Sequence, residues 1–107
     1  MRKYKSEITG HLDIIVADNE GEFEGKISKS QEVLIHGDPE GLRSFARLLM
    51  KLAHLNQDDI TDLSVGAREH IHIRPNWDIS KSSVEVIAGR IDGKGTGFSY
   101  DRYLAKD

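Results

Sequence analysis

The chain has no cysteine, two prolines, one tryptophan and no long apolar run in its 107 residues. Without cysteine there are no disulfides and no thiolate metal sites, and nothing argues for an oxidising compartment. No stretch approaches the ~20 apolar residues that cross a bilayer. The opening MRKYKSEITG is basic but has no apolar segment after it, which is not the pattern of a signal peptide. The expected location is therefore cytoplasmic, with no membrane partner. Excess positive charge is missing too: the net charge is −3 and the pI near 5.9. Nucleic-acid affinity comes mainly from Lys and Arg neutralising phosphates, so this balance argues against nucleic acid and permits a basic protein partner. Charged residues make up 31% of the chain, which is ordinary for a folded domain. The length suits one domain over residues 1–107, able to hide roughly 60–70% of its unfolded surface.

The strongest element is GDPEGLRSFARLLMKLAH, Gly37 to His54. Asp38 is a good N-cap, Pro39 fits the first helical position, and Glu40 lies at the positive end of the helix dipole. Leu42, Phe45, Ala46, Leu49, Leu52 and Ala53 recur at three- and four-residue steps and predict one apolar stripe. Asn56 suits a left-handed C-cap.

The rest reads as strand and loop. Ile8–Val16 alternates, with Ile8, Leu12, Ile14 and Val16 on one face. DNEGE at Asp18–Glu22 is turn chemistry, Phe23–Ile27 is a weak returning strand, and Gln31–His36 is a third. After the helix, NQDDITD is an acidic loop. Arg68–Arg74 alternates and is stopped by Pro75. Ser83–Ile91 is apolar on both faces and reads as a central strand. Asp92–Gly97 is a turn, and Phe98–Leu104 is an edge strand or a helical turn. Met1–Lys5 is expected to fray. The expected fold is α+β: an antiparallel sheet in the order β-β-β-α-β-β, with one amphipathic helix packed on one face.

Two clusters are candidates for function. Arg68, His70, His72 and Arg74 share one side of a strand by alternation. This is a solvated outer face, a binding surface with directional donors, or a site of chemistry. A His-x-His pair can chelate zinc or iron, with His36 as a third ligand, but the Glu that a cupin-type pattern needs is absent and two arginines oppose a cation. As acid and base, His70 and His72 would make a hydrolase. Asp58, Asp59 and Asp62 form the second cluster, either solvating residues of a loop or a contact for a basic protein. Arg43, Arg47 and Lys51 lie on the wet side of the helix. Gly93, Gly95 and Gly97 match no nucleotide loop. Trp77 reads as core or rim packing. No cofactor and no bound metal are expected.

The helix start G-D-P-E-G-L-R-S, the H-x-H-x-x-P of EHIHIRP, and the strand SKSSVEVIAGRID together resemble the small immunity proteins of bacterial polymorphic toxin systems, immunity protein family 32 in particular. The resemblance spans Val33 to Asp92, somewhat more than half of the chain. It implies a small, non-enzymatic α+β binder that neutralises a cognate toxin, and it carries over no contact residues. The alternatives are a generic interaction module and the His70/His72 hydrolase. The sequence leaves room for a homodimer.

Overall fold

The computed structural model describes residues 4–107. The expected fraying segment therefore lies partly outside the described residues. The chain begins its regular structure with a long hairpin: β1 (Leu12–Phe23) pairs antiparallel with β2 (Lys26–Gly37), in register from Leu12 opposite Gly37 to Phe23 opposite Lys26. Glu24 and Gly25 both take positive φ, 51° and 77°. That is the two-residue turn whose twist matches the strands it joins, and glycine at its second position relieves the strain.

Three expected strands are therefore two. Asp18–Glu22 lies within β1 and is not a turn. Cross-strand partners offset its poor strand propensity: Glu20 stands opposite Lys29, and the Gln31 amide donates to Asp18 Oδ1 at 3.0 Å.

The helix α1 (Pro39–His54) starts as expected, with Asp38 Oδ1 accepting from Gly41 N–H at 2.7 Å. The same oxygen accepts from His11 N–H at 3.0 Å, so one carboxylate caps the helix and pins the approach to β1. The helix buries Gly41, Ser44, Leu48 and Leu52. Phe45 is partly buried, but Leu42 and Leu49 are exposed. The buried face is thus rotated about 100°, one residue, from the expected stripe. Asn56 is no left-handed cap. It is extended, and its side chain accepts from Asp58 N–H to start a single 3-10 turn over Gln57–Asp59.

Two short strands follow, β3 (His70–Ile73) and β4 (Val86–Gly89), paired antiparallel. The class is α+β as expected, in the order β1-β2-α1-β3-β4, but the strands make two two-stranded sheets rather than one. Ser83–Ile91 is not a central strand. Only Val86–Gly89 pairs, and Ile87 is 60% exposed. Residues Ser80–Val84 run along the outer edge of β1 instead. Ser80 N–H donates to Leu12 O, Val84 N–H donates to Ile14 O, and Ser83 Oγ accepts from Ile14 N–H. Phe98–Leu104 forms neither strand nor helix.

The core gathers Ile8, Leu12, Ile14, Leu48, Ile73 and Ile79, with Phe45, Ile71 and Val86 packed against it. Beyond it the hairpin projects as an arm: every residue from Asp18 to Val33 is exposed. The radius of gyration is 17.4 Å, against about 13 Å for a compact chain of this length.

Candidate functional site

The His–Arg row does not stay together. His70 and His72 lie on one side of β3, both exposed, with ring centroids 5.0 Å apart and edge to face. His72 Nδ1 lies 3.7 Å from Glu85 Oε1. The two arginines are engaged elsewhere. Arg68 donates to three carbonyls, those of Ile91 (2.7 Å), Gly66 (3.3 Å) and Phe98 (2.9 Å), and its guanidinium stacks over Tyr100. It fastens the C-terminal segment to the body. The guanidinium of Arg74 lies over Tyr4 and Trp77, at 4.8 Å and 5.6 Å from the ring centroids. Trp77 is rim packing, 60% exposed. Alternation places four side chains on one side of a strand. Which neighbours they find is a tertiary matter.

Asp78 anchors the Arg74 corner. Its side chain is only 5% exposed, and it accepts from Tyr4 OH and Ser6 Oγ, both at 2.5 Å, and from Arg74 N–H at 2.9 Å. Burial pushes its pKa up, but these hydrogen bonds and the charge of Arg74 outweigh burial and hold it below the usual value.

The acidic loop survives as a surface. Asp58, Asp59 and Asp62 are exposed. Asp58 Oδ1 accepts from Gly95 N–H at 2.8 Å, and Asp59 Oδ2 from the Asn56 amide at 3.0 Å. Behind them Lys94 Nζ donates to the carbonyls of Ile60 and Leu63. Gln57, almost fully buried, ties the loop to Asp92 O at 2.8 Å and to Glu69 N–H at 2.9 Å.

Sequence reasoning overlooked a cluster in the cleft between the start of β1 and the Asn76–Ser80 segment, a concavity of about 560 Å³. Asp13 accepts from the hydroxyls of Ser80 and Ser82, and Ser80 Oγ lies 2.6 Å from Ser83 Oγ. The two serine hydroxyls hold the Asp13 carboxyl below its usual pKa. The cluster works as a staple between β1 and the Ser80–Val84 segment. No spacing rule signals it, because Asp13 and Ser80 are 67 residues apart. His36 stands on β2, away from the β3 pair. Among the described residues no three His, Asp or Glu side chains gather around one point as a metal site would require.

Five carboxylates are more acidic folded than unfolded. Hydrogen bonds lower Asp13 and Asp38, Thr9 and Arg47 lower Glu40, Arg90 lowers Asp92, and Asp78 is as above. A depressed folded pKa contributes stability that is complete above the unfolded value and drains as pH falls toward the folded one. With ordinary values of 4.5 for Glu and 3.8 for Asp, the melting temperature should begin to fall below pH 4.5 and drop steeply below 3.8. Thermal melts from pH 7 to 2.5 check this. A melting temperature unchanged at pH 3 would mean these networks do not form.

The described residues make an α+β fold whose polar clusters tie segments together and whose histidine pair, acidic loop and arm are exposed. Residues 32–91 match the family model for Immunity protein 32, more than half of the chain, and the chain belongs to that family. The matched span agrees within a residue at each end with the resemblance read from the sequence. No curated protein and no solved structure matches the chain. Among the described residues no helix is long and apolar enough to cross a membrane.

Proposed function

We propose that this chain is a cytoplasmic immunity protein that binds a cognate toxin domain and neutralises it by occlusion, without catalysing a reaction. The observation that carries this is membership of the Immunity protein 32 family over residues 32–91. Two candidate contacts follow from the sequence and are exposed: His70 and His72, flanked by Arg68 and Arg74, and the loop of Asp58, Asp59 and Asp62. In this reading the loop serves long-range attraction to a basic toxin domain, and the histidines on the short strand serve close anchoring.

The test is co-expression with a cognate polymorphic toxin, then binding kinetics on the purified pair. Charge reversal of the three aspartates is expected to slow association, and His70→Ala with His72→Ala to speed dissociation. Arg74 is left intact in this test, since removing it would also open its contacts with Tyr4, Trp77 and Asp78. If the parent protein neither protects cells nor binds, the immunity function is wrong.

A further inference from the structure

The hairpin leaves an edge without a strand, and α1 leaves an apolar stripe that starts at the end of that edge. In a hairpin closed by a two-residue turn, the residues paired by hydrogen bonds alternate with residues whose N–H and C=O point outward. The partners of Ile14 fix the phase. Its N–H and C=O go out to Ser83 and Val84, so the even positions of β1 and the odd positions of β2 face away from the ladder. On β1 the outer edge is covered at Leu12 and Ile14. On β2, among the described residues, no backbone group reaches the outer edge from Ile27 to Ile35. Ile27, Val33 and Ile35 are 64%, 62% and 45% exposed, and they share the face that Leu12 and Ile14 bury in the core.

The unburied side of α1 begins beside the Gly37 end of β2. Leu42 and Leu49 are 45% and 39% exposed, and Ala46 and Ala53 are exposed with them. This stripe is on the β2 flank, because Leu42 packs over Gly37 at the end of β2. The opposite flank of α1 is held to the N-terminal segment by Lys51–Glu7 and by Glu40–Thr9. A strand added beside β2 would complete the ladder and reach Leu42 at its Gly37 end.

Charge selects the occupant. From Asp18 to Glu32 the arm carries five carboxylates and two lysines, a net −3 that equals the charge of the whole chain. A second copy would bring a second acidic arm against the first. Nucleic acid and anionic lipid are repelled by the same charge. An extended segment rich in Lys and Arg is attracted, and its backbone can satisfy the open edge.

We propose that the outer edge of β2, running along the acidic arm from Ile27 to Ile35, receives an extended basic segment of the toxin domain as an added strand. This rests on the immunity reading above and names the surface it uses. Val33 has an outward N–H, so Val33→Pro removes no bond of the hairpin while blocking an incoming strand. Glu22→Lys with Glu24→Lys reverses the arm's charge without touching the edge or the Glu20–Lys29 pair.

The experiment uses the full chain and the purified cognate toxin domain, with hydrogen exchange on the parent and binding kinetics on the variants. Expected are slowed exchange at the amides of Ile27, Lys29, Gln31, Val33 and Ile35 on complex formation, and affinity at least about 100-fold lower for Val33→Pro. The double lysine variant should associate about tenfold more slowly and lose most of its salt dependence. Protection confined to other segments, with both variants binding within about threefold of the parent, overturns the added strand and leaves the immunity function standing. Protection of the same amides without toxin, in a dimer seen by sedimentation, gives the edge to a second copy and also overturns it. A parent that binds no toxin at all overturns the immunity function itself.

Discussion

Gly41→Ala should destabilise the protein by about 3 kcal/mol, the upper end of what an added methyl costs in a packed site. Helix propensity alone points the other way, since alanine in a helix interior is favoured over glycine by about 1 kcal/mol. Packing decides the sign. Gly41 is buried in the first turns of α1, and a Cβ there would stand 1.9 Å from His11 O and 2.6 Å from the His11 carbonyl carbon. That carbonyl cannot step aside freely, because it accepts from Asp38 N–H at 3.1 Å while His11 N–H donates to Asp38 Oδ1. Gly10, just before His11, is also tight, with positive φ and an ideal Cβ 2.6 Å from Gly41 N. Urea denaturation checks the expectation. A variant as stable as the parent, or more stable, would mean that the approach to β1 does not cross the helix at this point.

Leu48→Ala should cost about 2–5 kcal/mol, whereas Leu49→Ala should cost about 1 kcal/mol or less. The two leucines are chemically identical neighbours. Leu48 is 9% exposed and sits in the core cluster with Ile14 and Ile73, while Leu49 is 39% exposed. Paired denaturation curves on the two variants settle which face of α1 is inside. Equal losses, or a larger loss at Leu49, would restore the stripe read from the sequence.

That pair of leucines also marks where sequence reading ends. Counting apolar positions at helical spacing finds Leu42, Phe45, Ala46, Leu49, Leu52 and Ala53 and takes all six for the buried face, where only Leu52 and part of Phe45 belong. The real buried face includes Gly41 and Ser44, which no apolar count would choose. Ser44 is fully buried because its hydroxyl donates to Thr9 O at 2.9 Å and accepts from Thr9 N–H at 3.1 Å. Gly41 is there because the backbone of His11 needs the space. A small or polar residue on a buried face is invisible until the chain that crosses it is in place.

The arm shows the same division. Alternation of apolar residues at Leu12, Ile14 and Val16 is local and was legible. The continuation through DNEGE was not, because those residues favour turns on their own and become strand only opposite Lys29 and Gln31. Likewise the alternation in REHIHIR predicted a strand over Arg68–Arg74, of which only His70–Ile73 is strand, and Arg68 and Arg74 left the row for carbonyls and aromatic rings of other segments.

By itself the sequence determined what depends on near neighbours: the start of α1 at Asp38 and Pro39, the α+β class, the short β3, and the motifs that carry family membership over residues 32–91. Only the tertiary structure decided the phase of the helix, the number of strands in the hairpin, the use of Ser80–Val84 as the edge partner of β1, and the bare outer edge of β2. Caps and alternation are set by contacts a few residues apart. Burial phase and edge pairing depend on contacts between segments tens of residues apart, which no local pattern encodes.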